Sequence, residues 1–596
     1  MFRRTSPNQP LFGAETGLPE SSRGRLKNSW AYPFRVKVLP LLMRKEEYFA
    51  DLYSDGSGRP NWSVARNIAL LYLQETFDLA DKEALDCLAF DCRWQYALGL
   101  EPRDAYLSRR SHVEFRSRLV GVDPEMTRLR SLFEVIRDAM IADLGVSISK
   151  QRLDSTHLVS NIKTRGRVDL FGKTLMHFLR GLEQVWPDRM VRLSAGLLKW
   201  FEEKRKNSWF GPGPDKKKAE KLARLATWLY EVREVFAEDR EVCNSDRYQL
   251  VERVLEEHCE ITFSRSDDDT PGAETQDSQV REETSDCAVT VKPGNRIQDP
   301  GGTLQSPFDP DAARGHKGTG YSGFVTETCG NEGPEVLTDY DVLPAGPDQD
   351  KSGAVVDRLV ESGCKPEVLF ADTGFGTGQS IVDAQADGVR LHAPVARGNG
   401  RKDRIGRDQF TYDDNTGEVL RCPAGHAPAR HGLRRSENDR GTKRLHAYFD
   451  GATCRRCPLM SRCCVKPKSQ GRKGQFSLEI TQKLVEHDRR LAEQEDAPFR
   501  DPYSIRAGIE ATVSELKRAH GLGQLRVRRR VRVRLAVALK VTACNLKRWI
   551  RASIVQQRLV ATARHVRWAV ESGLFALRAP QAALDGLIGE MSASPT

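Results

Sequence analysis

The sequence predicts an α/β core, interrupted twice by inserts and preceded by an all-helical domain. Three patterns carry this expectation. Apolar residues recur at helical spacing from Trp62 to about Leu144. The period changes at Ser147-Ile-Ser-Lys-Gln-Arg-Leu-Asp154, which reads as a strand. From Leu304 to Val395 strand-like and helix-like segments alternate, the arrangement of an α/β sheet. At 596 residues the chain is also long enough for several structural units.

Residues 1–60 are rich in Pro, Gly and Arg and read as a flexible segment. A helical domain follows over 61–146, in which Ser111 with Glu114 three residues on reads as a capping box. The first part of the core spans 147–182, with a helix expected over Asp169 to Leu182. Residues 183–263 read as a helical insert broken near Trp209 to Pro214. The stretch 264–300, rich in Ser, Thr, Asp and Glu with few apolar anchors, reads as a disordered acidic linker. The core resumes over 301–395, with a strand at Gly320–Thr328, a helix at Gly353–Gly363 and a buried strand at Glu367–Asp372. Residues 396–480 form a polar, Cys-bearing insert, 481–551 a helical C-terminal part, and 552–596 a tail.

Composition narrows the partners. Hydrophobic residues make up 39% and charged residues 29%, and no apolar run approaches the roughly eighteen residues of a membrane span. The first residues lack the apolar stretch of a secretory signal, so a cytoplasmic location is expected. The net charge is +11, and its distribution matters more than its sum. From Leu516 to Val570 there is no Asp or Glu, whereas Lys and Arg recur throughout. Such a block suits a polyanion, because each neutralised phosphate releases counterions. Within it, Arg526, Arg528, Arg529 and Arg530 are candidate phosphate contacts.

The thirteen cysteines do not read as a disulfide framework. Five cluster between Cys422 and Cys464. Cys422, Cys454, Cys457 and Cys463 fit either a structural Zn²⁺ site or free thiols in a reducing compartment. A zinc ion there would stabilise the insert and take no part in chemistry.

The chemistry-bearing pattern lies near the C-terminus. Asp501-Pro502 reads as a helix start, Asp as N-cap and Pro at the first helical position. Tyr503, Glu510 and Lys517 then share a helical stripe, and Arg506 sits four residues before Glu510. By spacing alone this describes an ordinary surface helix with an ion pair.

The residues nevertheless resemble a known pattern. Tyr503-x2-Arg506-x3-Glu510-x6-Lys517 resembles the YREK signature helix of DDE transposases of bacterial insertion sequences. Arg152-Leu153-Asp154-Ser155-Thr156 is similar to that family's first-aspartate strand, and Phe370-Ala371-Asp372-Thr373-Gly374-Phe375 to its second. Between them, Gln305–Asp311 and His316–Tyr321 resemble the strand-forming stretch after the first motif. The similarity runs from about residue 60 to 551 and is greatest to the eleven-eighty-two type.

The resemblance implies an RNase H-like core, a mixed five-stranded sheet with flanking helices. It also implies two Mg²⁺ (or Mn²⁺) ions held by Asp154, Asp372 and Glu510, with Tyr503, Arg506 and Lys517 contacting DNA. The implied partners are double-stranded DNA, both element ends and target, and a second copy of the chain when active. Two other readings use the same residues: a metal-dependent nuclease without strand transfer, and a DNA-binding relative that has lost catalysis.

Overall fold

The computed structural model describes residues 1–5, 13–54, 60–162, 166–206, 215–263, 287–397, 404–413, 416–435, 443–467 and 475–571. Helix α1 (Val64–Thr76) is capped by Ser63, whose side chain accepts a hydrogen bond from the Arg66 amide. Almost all of α1 is buried, as expected of a helix apolar on every side. Residues 13–54 differ from the flexible segment expected over 1–60. Phe34, Val38, Leu39, Leu42 and Phe49 are buried in the same core as α1. Pro33 and Pro40 divide this stretch into short helical pieces, so no long period marks it in sequence.

The capping box expected at Ser111 is displaced. Ser108 is the N-cap of helix Arg109–Val122 and accepts from the Ser111 amide at 3.1 Å. Glu114 pairs with Arg110 instead. Helix α2 (Thr127–Leu144) ends at Gly145, whose φ of 63° supplies the left-handed cap.

Among the described residues, six strands form the main sheet. They are β1 (Lys150–Leu158), β2 (Ala313–Gly315), β3 (Gly318–Thr328), β4 (Leu337–Pro344), β5 (Val368–Phe370) and β6 (Arg390–His392). Central β1 runs antiparallel to β3 and parallel to β5, and β5 runs parallel to β6. Strands β4 and β2 pair successive parts of the far edge of β3. The order is β4–β3–β1–β5–β6, and β2 also pairs with β3, so the mixed sheet has one strand more than the five expected.

Helices α3 (Ser352–Glu361) and α4 (Gly378–Ala386) make the crossovers on either side of β5. Val355, Val356, Leu359, Ile381 and Ala384 from them pack on Leu153, Phe324 and Leu369 of the sheet. Helices α5 (Gln482–Glu493), α6 (Ala497–Tyr503), α7 (Ile509–Ala519) and α8 (Arg530–Glu571) follow the second insert. Helix α8 packs between β4 and the N-terminal helices, joining them in one core. Asn545 on α8 both accepts from the Leu337 amide and donates to its carbonyl, each at 2.9 Å, which satisfies the edge of β4.

The inserts have cores of their own. Helix Arg167–Val185, expected with the catalytic core, packs instead with Asp215–Phe236 and Asp246–His258. Its buried apolar residues, from Val168 to Leu182, lie in that insert core and not in the cluster on the sheet. The break expected near Trp209 lies mostly outside the described residues. So do residues 264–286 of the expected linker, but Cys287–Val291 form a strand paired with Cys259–Phe263. The alternation Cys-Ala-Val-Thr-Val suits a two-stranded pair. The Cys-bearing insert holds a four-stranded antiparallel sheet built on Lys443–Asp450 and Gln475–Ile480.

A buried acid anchors the basic stretch. Asp309 is fully buried, and its Oδ1 accepts from the Tyr321 hydroxyl at 2.5 Å and from the Arg529 amide at 2.9 Å. Arg529 has a φ of 68°, a conformation that L-residues adopt at a cost. Replacing Asp309 with Ala leaves a buried hydroxyl and a strained amide without their acceptor. We expect Asp309→Ala to lose about 1–3 kcal/mol in urea unfolding, and Asp309→Asn to lose less because it keeps an acceptor.

Candidate functional site

Strand register brings the two aspartates level. The parallel β1–β5 pairing matches Lys150 with Val368 and Arg152 with Phe370. Asp154 and Asp372 each lie two residues beyond the last matched pair. There β5 ends while β1 continues, and the pairing changes at β1 from antiparallel with β3 to parallel with β5. The Ser155 amide donates to Asp154 Oδ1 at 2.8 Å, and the Gly374 amide to Asp372 Oδ1 at 2.9 Å.

The third carboxylate does not lie on the single helix expected. Asp501 and Pro502 fall in the last turn of α6, which begins after Asp496 and uses Pro498 in its first turn. The sequence contains two Asp-to-Pro starts, and the earlier one is used. Pro502 offers no amide, and the chain tightens to a 3₁₀ turn over Ser504–Gly508 before α7 begins. Tyr503, Arg506 and Glu510 therefore lie on three successive elements.

A buried ionic network seats this segment on the sheet. Glu327 of β3 has no exposed surface. It accepts from Arg152 Nε and from Thr512 Oγ1, at 2.7 and 2.6 Å, and from Arg548 Nη1 at 3.1 Å. Arg152 also donates to the Ile505 carbonyl at 2.9 Å, inside the 3₁₀ turn. A Cβ at Gly508 would overlap the Arg152 guanidinium, so this approach requires glycine. Glu327 thus links β1, β3, the turn, α7 and α8.

Arg506 then reaches all three acids. Its Nη2 lies 3.3 Å from Asp154 Oδ2 and 4.0 Å from Asp372 Oδ2, and its Nη1 lies 3.5 Å from Glu510 Oε1. The acid side chains grade from 15% exposed at Asp154 to 36% at Asp372 and 68% at Glu510, so the cluster opens to solvent. Burial raises the pKa of Asp154 above the ordinary carboxylate value, and the Arg506 charge opposes that rise. The three acids do not close to within 4.8 Å of one another, because the guanidinium stands between them. Oxygen ligands of an ion pair ~3.5–4 Å apart need no such closure, and the donor set is that of a hard cation. In metal-free protein Arg506 supplies the positive charge.

The remaining residues expected at the site divide into two groups. Tyr503 is half-buried, its ring 5.9 Å from Phe499 and 6.1 Å from His392. Lys517 is exposed and lies close enough to His157 of β1 to lower that imidazole's pKa, after burial, the larger cause. Arg526, Arg528 and Arg529 are exposed, whereas the buried Arg530 Nε has no hydrogen-bond partner. The Arg530 amide donates to Asp311 Oδ2 at 3.1 Å. Helix α8 starts only at Arg530; the preceding arginines follow a loop in which the Leu525 amide donates to the Val159 carbonyl.

Other nearby residues were not singled out from sequence. Lys317 occupies the two-residue turn between β2 and β3, and its charge acts on Asp154. Ser155 donates to Asp348 at 2.6 Å, which places a further carboxylate beside the Gly374 loop. The short Gly315-His-Lys-Gly318 hairpin could have signalled Lys317; nothing local marks Asp348.

Cys422, Cys454, Cys457 and Cys463 line one cavity in the second insert. No three of their sulfurs lie within 4.8 Å of one another. A hydrogen bond from Cys464 holds Cys463 down to about 6, and burial pushes Cys454 up to about 11.

Two family models match parts of the chain. The family described as Transposase DDE domain matches residues 421–550, and Transposase domain (DUF772) matches residues 34–118. The first covers Tyr503, Arg506, Glu510, Lys517 and the clustered cysteines, but reaches neither Asp154 nor Asp372. The second begins within the stretch expected to be flexible. No curated protein and no solved structure matches. The two matches support a transposase role, with DNA as the partner and divalent metal as the usual requirement of such domains. Among the described residues, no helix is long and apolar enough to cross a membrane.

Two outcomes follow. Glu327→Ala strands two arginines in the interior and should cost about 3–5 kcal/mol in chemical unfolding. Arg506→Met removes the charge that opposes the raised Asp154 pKa. The ionised form of Asp154 is disfavoured in the fold, so its destabilising effect is absent in acid and grows as pH rises through its titration. The stability deficit of Arg506→Met should therefore be larger at neutral pH than below pH ~4; equal deficits in urea titrations at both pH values would refute the coupling.

Proposed function

We propose that the chain is a DDE transposase of the insertion-sequence kind, cutting and joining DNA phosphodiester bonds at Asp154, Asp372 and Glu510. The observation that carries this reading is the single Arg506 guanidinium contacting carboxylates from a sheet strand, a strand end and a separate helix. The strand order β4–β3–β1–β5–β6 supports an RNase H-like core. The YREK group and the eleven-eighty-two type remain the proposed placement within transposases.

Two divalent ions, Mg²⁺ or Mn²⁺, would supply activation of the attacking oxygen and stabilisation of the leaving oxygen. The protein's own part is to hold the acids and the DNA. Asp154, partly buried and level with Asp372, offers Oδ2 once Arg506 moves aside; Glu510 approaches from the open side. Arg506 is then free to contact a DNA phosphate. Lys517, Lys317 and the exposed Arg526, Arg528 and Arg529 extend a cationic surface along the duplex, giving affinity without base preference. Tyr503, backed by Phe499 and His392, positions the strand. A synaptic complex of two element ends calls for at least two copies of the chain. In the second insert, zinc drawn to Cys422, Cys454, Cys457 and Cys463 would close those thiols around it and stabilise that sheet.

Asp154→Asn, Asp372→Asn and Glu510→Gln should each reduce cleavage of end-containing DNA by on the order of 10³-fold or more, the loss of several kcal/mol of transition-state stabilisation. DNA affinity in gel-shift titrations should change little. A variant that cuts like wild type removes its residue from the site. Products joined to target DNA support transposition; cutting without joining supports a nuclease.

A further inference from the structure

The end of α7 and the middle of α8 bring Glu515, His520 and Cys544 together, apart from the carboxylate cluster. One carboxylate oxygen, one imidazole nitrogen and the thiol sulfur lie within 4.8 Å of one another. Among the described residues no other group of three or more His, Cys, Asp or Glu meets that distance.

Two of the donors are prepared by their surroundings, whereas burial pushes the Cys544 thiol up to about 12, so that binding must draw off its proton. His520 Nδ1 lies 3.0 Å from the Glu75 carbonyl, which makes Nδ1 the protonated nitrogen and leaves a lone pair on Nε2. That Nε2 is buried and has no hydrogen-bond partner, and His520 itself has no exposed surface. A buried acceptor left without a partner is unfavourable, so a ligand that fills it is favoured. Cys544 is equally buried. The Arg548 contacts, at 3.1 and 2.8 Å, both fall on Glu515 Oε2 and leave Oε1 outside that pair.

One nitrogen, one thiolate sulfur and one carboxylate oxygen form a donor set suited to Zn²⁺. A backbone carbonyl orienting the imidazole and a cation holding the other carboxylate oxygen are the outer contacts such sites use. Of the nearby cations, Lys540 is paired with Glu75 and Arg548 with both Glu327 and Glu515, while the charge of Lys547 also acts on His520 and Glu515.

We propose that Glu515, His520 and Cys544 form a structural site for Zn²⁺, or a metal of similar ligand preference, that pins α7 to α8. Binding releases the Cys544 proton and draws the three donors inward, with water completing the shell. Because α7 carries Glu510, and Glu75 belongs to α1, the ion ties the catalytic helix to the N-terminal helices. The site stands whether or not the chain is a transposase.

The test uses the full-length chain with Cys457→Ser and Cys463→Ser, so that the insert thiols do not contribute. After exposure to Zn²⁺ and removal of loose metal with a weak chelator, this protein should retain about one more ion per chain than the same protein carrying Cys544→Ser or His520→Gln. With Co²⁺, its sulfur-to-metal absorption should vanish in Cys544→Ser and persist in Asp154→Asn, whose site has no sulfur. Equal metal content and equal cobalt spectra in all variants would overturn the proposal. Should Cys544→Ser fail to fold, X-ray absorption of the unsubstituted-at-544 protein decides: a mixed sulfur, nitrogen and oxygen shell supports the site, and absence of retained zinc overturns it.

Discussion

Glu327 is the constraint on which the candidate site depends. A carboxylate without solvent is stable only when its charge and lone pairs are satisfied, and Arg152, Arg548 and Thr512 do this from three elements. Each partner is fixed in turn. Arg152 grips the Ile505 carbonyl, and Arg548 grips Glu515 and the Glu335 carbonyl. The 3₁₀ turn cannot slide along the sheet without breaking these contacts, so Arg506 is delivered beside Asp154. The network is a positioning device, two removes from any DNA.

The same logic organises charge at the site. Three acids gathered with no cation would repel one another and resist ionisation, and Asp154 already feels its burial. Arg506 balances the cluster in metal-free protein, and the charge of Lys317 also acts on Asp154. The placement of the two aspartates follows from register: β1 outlasts β5, and both stand two residues beyond the last matched pair.

Helix α8 joins the parts. It closes the edge of β4 through Asn545, holds Glu327 through Arg548, and shares a core with α1 and α2. The sheet and the helical domain therefore share one packed core.

Much of this was legible in the chain. The β1 strand around Asp154, the β5 strand before Asp372 and the helix between β4 and β5 announce themselves by period, and the set Tyr503, Arg506, Glu510 and Lys517 by its resemblance to the YREK pattern. Periodicity reports only local geometry, however. It could not show that Phe34, Val38, Leu39, Leu42 and Phe49 join the helical core, because prolines cut their helices into pieces shorter than the period needs. Nor could it choose between two Asp-to-Pro helix starts, since both satisfy the same capping rule. Glu327, Lys317 and Asp348 are separated from Arg152, Asp154 and Ser155 by more than a hundred residues, and Cys544 follows His520 only after a loop and the first turns of α8. Local residue types determined the elements and the candidate acids. Only tertiary packing decided which side chains share charge, because burial and distance, unlike spacing, are set by the whole chain.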